Sequence, residues 1–309
     1  MKSTGAFIKF SKVILATVFF VILAGGIVRM TQSGMGCPDW PKCFGRWIPP
    51  TNVDQLPVNY KELYAFKYVD TSFNPYHTWI EYINRLAGTL LGLLLIVQFA
   101  WSLQFWKSHR QIVWLCLAVL LLTGFQGWLG SKVVEANLEV VKVTIHMLVA
   151  LLIAALSVTI IKRCDPDKRS IQNKRLKNVS FLAIILLLAQ VTIGTQVREQ
   201  IDHISAGFNF EHRELWINKL NYIFNIHRSF SLLAAAICIY IFVQYKKYDF
   251  VKTTAWVILI CVLCIIFLGL LMSYFNIPSF AQPLHLLLSS ILIISIYYIW
   301  LKTKSNYGL

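Results

Sequence analysis

The chain is short of charge, and shorter still of acid. Charged side chains make up 14% of its 309 residues, with 14 Asp or Glu against 29 Lys or Arg. Hydrophobic residues reach 57%, with a mean hydropathy of +0.61. A water-soluble domain cannot hide that much apolar side chain. The long runs lack polar–apolar alternation, which excludes a membrane β-barrel. No zinc-ligand spacing occurs, and no C-x-x-C marks a thioredoxin-like site. The first apolar run continues into Val28-Arg29 with no small-residue cleavage site, so it is expected to stay as a helix.

What is there is a set of eight long apolar runs, at roughly 11–31, 78–101, 111–131, 140–161, 178–198, 220–244, 253–275 and 282–302. About 20 residues at ~1.5 Å rise span a bilayer core as a helix. The expected fold class is therefore an all-α integral membrane protein with eight transmembrane helices in the lipid bilayer.

The formal net charge of +15 follows topology, and no nucleic-acid partner is needed to explain it. Lys2, Lys9 and Lys12, then Lys107 and Arg110, then the run Lys162 to Lys177, then Lys246, Lys247 and Lys252, and finally Lys302 and Lys304 all fall in alternate connections. The opposite connections hold most of the acids, among them Asp39, Asp54, Glu62, Glu199, Asp202, Glu211 and Glu214. Basic connections stay cytoplasmic. Both termini are expected inside, and the long connections 32–77 and 199–219 outside. Cys37 and Cys43 lie in the first of these, an oxidising setting, and read either as a structural disulfide or as a redox-active thiol pair. Their C-x5-C spacing favours the disulfide. Cys116, Cys238, Cys261 and Cys264 sit in apolar runs as small hydrophobes.

The runs fall into two similar halves. Glu81-Tyr-Ile-Asn84-Arg85 opens one run, and Asn221-Tyr-Ile-Phe-Asn-Ile-His227-Arg228 opens its counterpart; a lone histidine follows in each half, His146 and His285. The offsets agree, 227 − 84 = 143 against 285 − 146 = 139. Gly25…Arg29 and Gly194…Arg198 end equivalent runs, and Gly124, Gly127 and Gly130 dot another, where small residues admit close packing. Two pseudo-symmetric four-helix bundles are expected, residues 1–165 and 166–309.

Polar side chains inside apolar helices mark function. Asn84, His146, His227 and His285 at one depth, two per half, match haem ligation inside a helix bundle. His227 and His285 are the expected bis-histidine pair. Arg85, Arg228, Arg29 and Arg198 lie near the same boundary, where a guanidinium pairs with haem propionates or snorkels to headgroups. Glu81 breaks the symmetry, since Phe224 holds the equivalent position. A catalytic role is expected of it; the alternative is a salt bridge to Arg85 or Arg29. His203 and His212 read as solvated surface histidines.

Gly25-Gly-Ile-Val-Arg29-Met-Thr-Gln-Ser-Gly34, Cys37-Pro-Asp-Trp-Pro-Lys-Cys43, Glu81-x-x-x-Arg85, His146, His227-Arg228 and His285 resemble the heme A synthase family over nearly the whole chain. The resemblance implies oxidation of the ring D methyl of haem o, through a hydroxylated intermediate, to the formyl of haem a. It implies a haem b cofactor held in the second half by His227 and His285 with Arg228. It also implies a haem o site in the first half, with His146, Asn84 and Arg85, an essential Glu81, and Cys37–Cys43 nearby. The haem o-forming farnesyltransferase and cytochrome oxidase assembly factors are implied as partners. The implied location is a bacterial-type cytoplasmic or mitochondrial inner membrane. Many members carry histidine where Asn84 stands, which leaves His146 as the sole strong ligand for the substrate iron. His77, seven residues earlier, would need a kinked helix to replace it. Some members also have a second cysteine pair, which 199–219 lacks. Two other function classes compete with this one. A di-haem cytochrome b would pass electrons from quinol, and a transporter with repeated halves would hold no haem.

Overall fold

Apolar runs this long become helices because lipid offers no partner for backbone N–H and C=O groups. The structure, a computed structural model, describes residues 2–64, 73–135 and 138–305. Residues 65–72 of the first long connection lie outside the described residues. Among the described residues, eight helices are long and apolar enough to cross a membrane. They are α1 (Lys2–Met30), α2 (Pro75–Ser102), α3 (Arg110–Glu135), α4 (Val140–Cys164), α5 (Lys174–Gly207), α6 (Tyr222–Tyr245), α7 (Asp249–Tyr274) and α8 (Ala281–Lys302). The protein is an all-α integral membrane protein.

The starts of the helices are encoded locally. The Asn74 side chain accepts from the Tyr76 and His77 N–H groups, and Pro75 takes the first helical position of α2, where its missing donor costs nothing. Asn173 and Asn221 cap α5 and α6 in the same way. One boundary departs from expectation: α5 continues nine residues beyond 198, to Gly207. The extension is amphipathic. Val197 and Ile201 are buried against Trp216 and Ile277, with Ile204 and Phe208 around them. Polarity made 199–207 look like a loop, whereas one apolar stripe was enough to keep it helical.

By contacts, the described chain divides into two compact units, Val13–Ile153 and Met1–Lys12 with Ala154–Leu309. In the first, α2 packs on α3. Its connection folds around Cys37, Cys43, Phe44 and Leu56, with Tyr60, Phe73 and Tyr82 against them. In the second, α5 packs on α6, α6 on α7, α7 on α8 and α8 on α5, so the ring closes. α6 and α8 are thus diagonal across a four-helix bundle.

Where α6 and α8 end, this bundle is tied by polar groups. Tyr245 is fully buried, and its hydroxyl pairs with Ser180 at 3.1 Å and Thr303 at 2.9 Å. Lys302, 2% exposed, donates to the Asp167 carbonyl at 2.9 Å and pairs with Asp165 at 3.3 Å. Thr303–Lys304 runs parallel to Ile171–Gln172 as a two-residue ladder. Tyr245→Phe removes the partner of the Ser180 hydroxyl and one of two partners of the Thr303 hydroxyl, which still donates to the Ile299 carbonyl at 2.9 Å. It is expected to cost about 1 kcal/mol, measured as earlier thermal unfolding in detergent with binding properties kept.

Candidate functional site

In the unit Val13–Ile153 the site is built on the first three turns of α2. Thr78, Glu81 and Arg85 share one face at spacings of three and four. Gly36 brings the preceding chain onto this helix so closely that a Cβ there would sit 2.5 Å from the His77 carbonyl oxygen. No other residue fits. The Thr78 hydroxyl then donates to the Gly36 carbonyl at 2.8 Å.

Glu81 is 3% exposed. Its Oε2 accepts from the Cys37 N–H at 2.9 Å, and its Oε1 from Arg85 Nη2 at 2.6 Å. Arg85 also donates to three backbone carbonyls: Asp39 at 2.6 Å, Lys42 at 3.0 Å and Cys37 at 3.1 Å. Cys37 and Cys43 form a disulfide and are fully buried. The Asp39 carboxylate closes the same loop from inside, on the Phe44 and Gly45 N–H groups at 2.5 and 2.8 Å. The Tyr82 hydroxyl donates to the Trp47 carbonyl. The loop is therefore a short covalent ring whose carbonyls point at one guanidinium. A cleft beside it is lined by Pro38, Asp39, Trp40, Ser131, Val134 and Glu135. Asn84 lies one turn along from Glu81, half-buried, with its Oδ1 buried and unpartnered. His77 sits in the first turn of the same helix, seven residues from Asn84.

His146 comes from α4, within two turns of its start. Its Nδ1 is buried without a hydrogen bond. Gln126 of α3 donates its amide to the His146 carbonyl at 2.7 Å, and Gly130, one turn on, lies against the ring.

The other unit repeats this construction in full at His227 and in part at His285. Gln190 of α5 donates to the His227 carbonyl at 2.9 Å, and Gly194 lies against the His227 ring. Gly269 of α7 lies nearest the His285 ring. The backbone oxygens of Gln190 and Ile265 face these two imidazoles without closing to full hydrogen bonds. His227 and His285 start from diagonal helices of the same bundle. Arg228 is exposed, its guanidinium 6.0 Å from the Phe224 ring.

This donor set fits a haem. Two half-buried imidazoles on opposite helices have Nδ1 turned to protein backbone, the arrangement that leaves Nε2 for a metal. Among the described residues no three His, Cys, Asp or Glu gather as a metal cluster, so the iron of a macrocycle suits these isolated histidines better than a bare ion. His203 and His212 are surface residues, their side chains 81% and 61% exposed. Arg198 is committed to Asp202, at 2.8 Å.

The family model described as cytochrome oxidase assembly protein, COX15-CtaA, matches residues 9–297. The chain belongs to that family. Relatives of this COX15-CtaA member include the heme A synthase of Pelagibacter ubique (strain HTCC1062), 27% identical over 97% of this chain and 98% of that protein. The heme A synthase of Bartonella quintana (strain Toulouse) is 24% identical over 95% and 91%. That of Shewanella oneidensis is 28% identical over 59% of this chain, and the match spans only about half, 54%, of its length.

Two features of this family member escaped the sequence reading: the glutamines that hold ligand helices, and the loop carbonyls gathered on Arg85. The first had a signal, Gln-x-x-x-Gly in an apolar helix at 126–130 and 190–194. The second had none, because backbone acceptors carry no sequence label. Arg85→Met should release the loop. Removing one partner of a buried pair costs about 3–5 kcal/mol. The Cys37–Cys43 bond is then expected to react with a water-soluble phosphine at least tenfold faster (about 1.4 kcal/mol per decade), read by thiol labelling.

Proposed function

We propose that this chain is a heme A synthase, an oxidoreductase that converts the ring D methyl of haem o to the formyl of haem a. The observation that carries the reading is His227 and His285 on diagonal helices of one bundle, each Nδ1 buried beside a neighbouring helix. Residues 166–309 are then the cofactor half, in which His227 and His285 ligate haem b and Arg228 meets a propionate. Haem b supplies one-electron chemistry when bound.

Residues 1–165 are the substrate half. His146 ligates the haem o iron, and Asn84 offers a buried Oδ1 beside it, a weaker donor than the imidazole many relatives place there. Arg85 fixes the disulfide loop that bounds the site. Glu81 is the catalytic carboxylate. Both of its oxygens already accept N–H bonds, so it is arranged as an acceptor. That suits stabilisation of positive charge at the reacting methyl better than proton donation. The partner half has Phe224 at this position, and so lacks the group.

The basic connections support a topology with both termini on the cytoplasmic or matrix side of a bacterial-type cytoplasmic or mitochondrial inner membrane. Haem o reaches the site from the farnesyltransferase that makes it, and haem a leaves toward oxidase assembly factors. The test is pigment extraction and mass analysis from cells lacking and regaining the gene. Haem a is expected only with the protein, and Glu81→Gln is expected to abolish it while the haem b Soret band of the purified protein stays. Haem o unchanged on complementation refutes the reading. A Soret-bearing protein that never alters haem o would be an electron-passing cytochrome instead.

A further inference from the structure

The three histidines share a feature that the assignment of ligands does not explain. Each ring lies against a glycine of the neighbouring helix, and in each case the nearest ring atom is Cε1: Gly130 for His146, Gly194 for His227, Gly269 for His285. A side chain at these positions would meet Cε1 at 3.5, 3.1 and 3.9 Å respectively. Four residues before each glycine stands the residue that addresses the same histidine. Gln126 binds the His146 carbonyl. Gln190 binds the His227 carbonyl and turns its own backbone oxygen to the His227 ring. The Ile265 backbone oxygen turns to the His285 ring.

The four-residue spacing has a physical cause. In an α-helix the carbonyl of residue i points toward residue i+4 and is screened by the side chain there. Glycine at i+4 removes the screen. An imidazole on an adjacent helix can then lay its Nδ1 edge on the uncovered carbonyl.

We infer that Gly130, Gly194 and Gly269 are positioning residues. Each uncovers one turn of backbone on which a ligand imidazole rests; at Gly194 and Gly269 the carbonyl four residues earlier then fixes the ring plane and directs Nε2 to iron, and at Gly130 the Gln126 amide on the His146 carbonyl holds the register. The inference rests on the haem-binding reading above. Ring-plane control matters because axial imidazole orientation and its outer hydrogen bond set ligand strength and the potential of the bound iron. The three contacts differ in tightness, so the effect is graded. At Gly194 a methyl group forces the His227 ring to give by a few tenths of an ångström. Gly130 has ordinary contact distance, and Gly269 has room.

The test uses the purified full-length protein in detergent, with haem content, the electron paramagnetic resonance g-values of the ferric low-spin haem and its midpoint potential as readouts. Gly194→Ala is expected to shift the g-values and potential and to lower retained haem severalfold. Gly269→Ala is expected to shift all three less than Gly194→Ala does, and Gly269→Val to shift them as far as Gly194→Ala. Unchanged g-values in Gly194→Ala, or equal shifts in Gly194→Ala and Gly269→Ala, overturn the inference. Should Gly194→Ala not fold, the Gly269 pair decides, and a silent Gly269→Val overturns it. Wild-type protein devoid of haem overturns the functional reading together with this one. Haem-bearing wild type with invariant variants overturns this one alone.

Discussion

A carboxylate and a guanidinium buried together on one helix face set the terms for the whole first unit. Glu81 and Arg85 are 2.6 Å apart, and between them they engage Cys37 twice, Asp39 and Lys42. Two charges in an apolar setting stay charged only if their remaining donors and acceptors are also satisfied. The chain meets that demand with backbone from a loop more than forty residues away in sequence. The disulfide makes the solution durable: a ring closed at Cys37 and Cys43 presents its carbonyls together, so Arg85 finds its acceptors without ordering a free loop. Gly36 completes it by letting the loop approach His77 to a distance no side chain allows.

The second unit meets the same demand differently. It has no carboxylate at the place of Glu81, and the groups that address its imidazoles are an amide and backbone oxygens, with the Arg228 guanidinium exposed beside them. Gln190 spends its amide on the His227 carbonyl. Neutral donors of this kind hold a helix in register at little desolvation cost. An ion pair in an apolar setting needs the covalent loop to satisfy its remaining donors and acceptors. The difference between the halves is thus a difference in how polarity is compensated.

Sequence alone reveals the parts of this arrangement that stand out against an apolar background. His146, His227, His285, Asn84, Arg85 and Glu81 are all visible because lipid-spanning helices rarely carry such residues. The eight helices are visible for the same reason, and the caps at Asn74, Asn173 and Asn221 account for where three of them begin. What stays hidden is whatever depends on backbone. The partners of Arg85 are carbonyls, which leave no residue-type signature, and the seat of each imidazole is a bare helix turn marked only by a glycine. The extension of α5 to Gly207 is hidden for another reason. Its charged residues mask an apolar stripe that only Trp216 and Ile277, distant in sequence, make sense of.

Asn84 is where the two halves part most sharply at the level of iron. Along α2 it follows Glu81 by three residues, so anything held near its amide also lies beside the one buried carboxylate of the site. An imidazole at that position would compete for a sixth coordination place. A carboxamide is a weak ligand and a good hydrogen-bond donor and acceptor, and its buried Oδ1 is still unpartnered. Under the proposed function, the half that carries Glu81 would pair its single strong ligand, His146, with a group that can yield, and the half without Glu81 would keep imidazoles on both sides. Strong ligation and the acidic residue would then lie in separate halves, which is the division a duplicated scaffold needs if one copy is to hold a haem and the other to act on one.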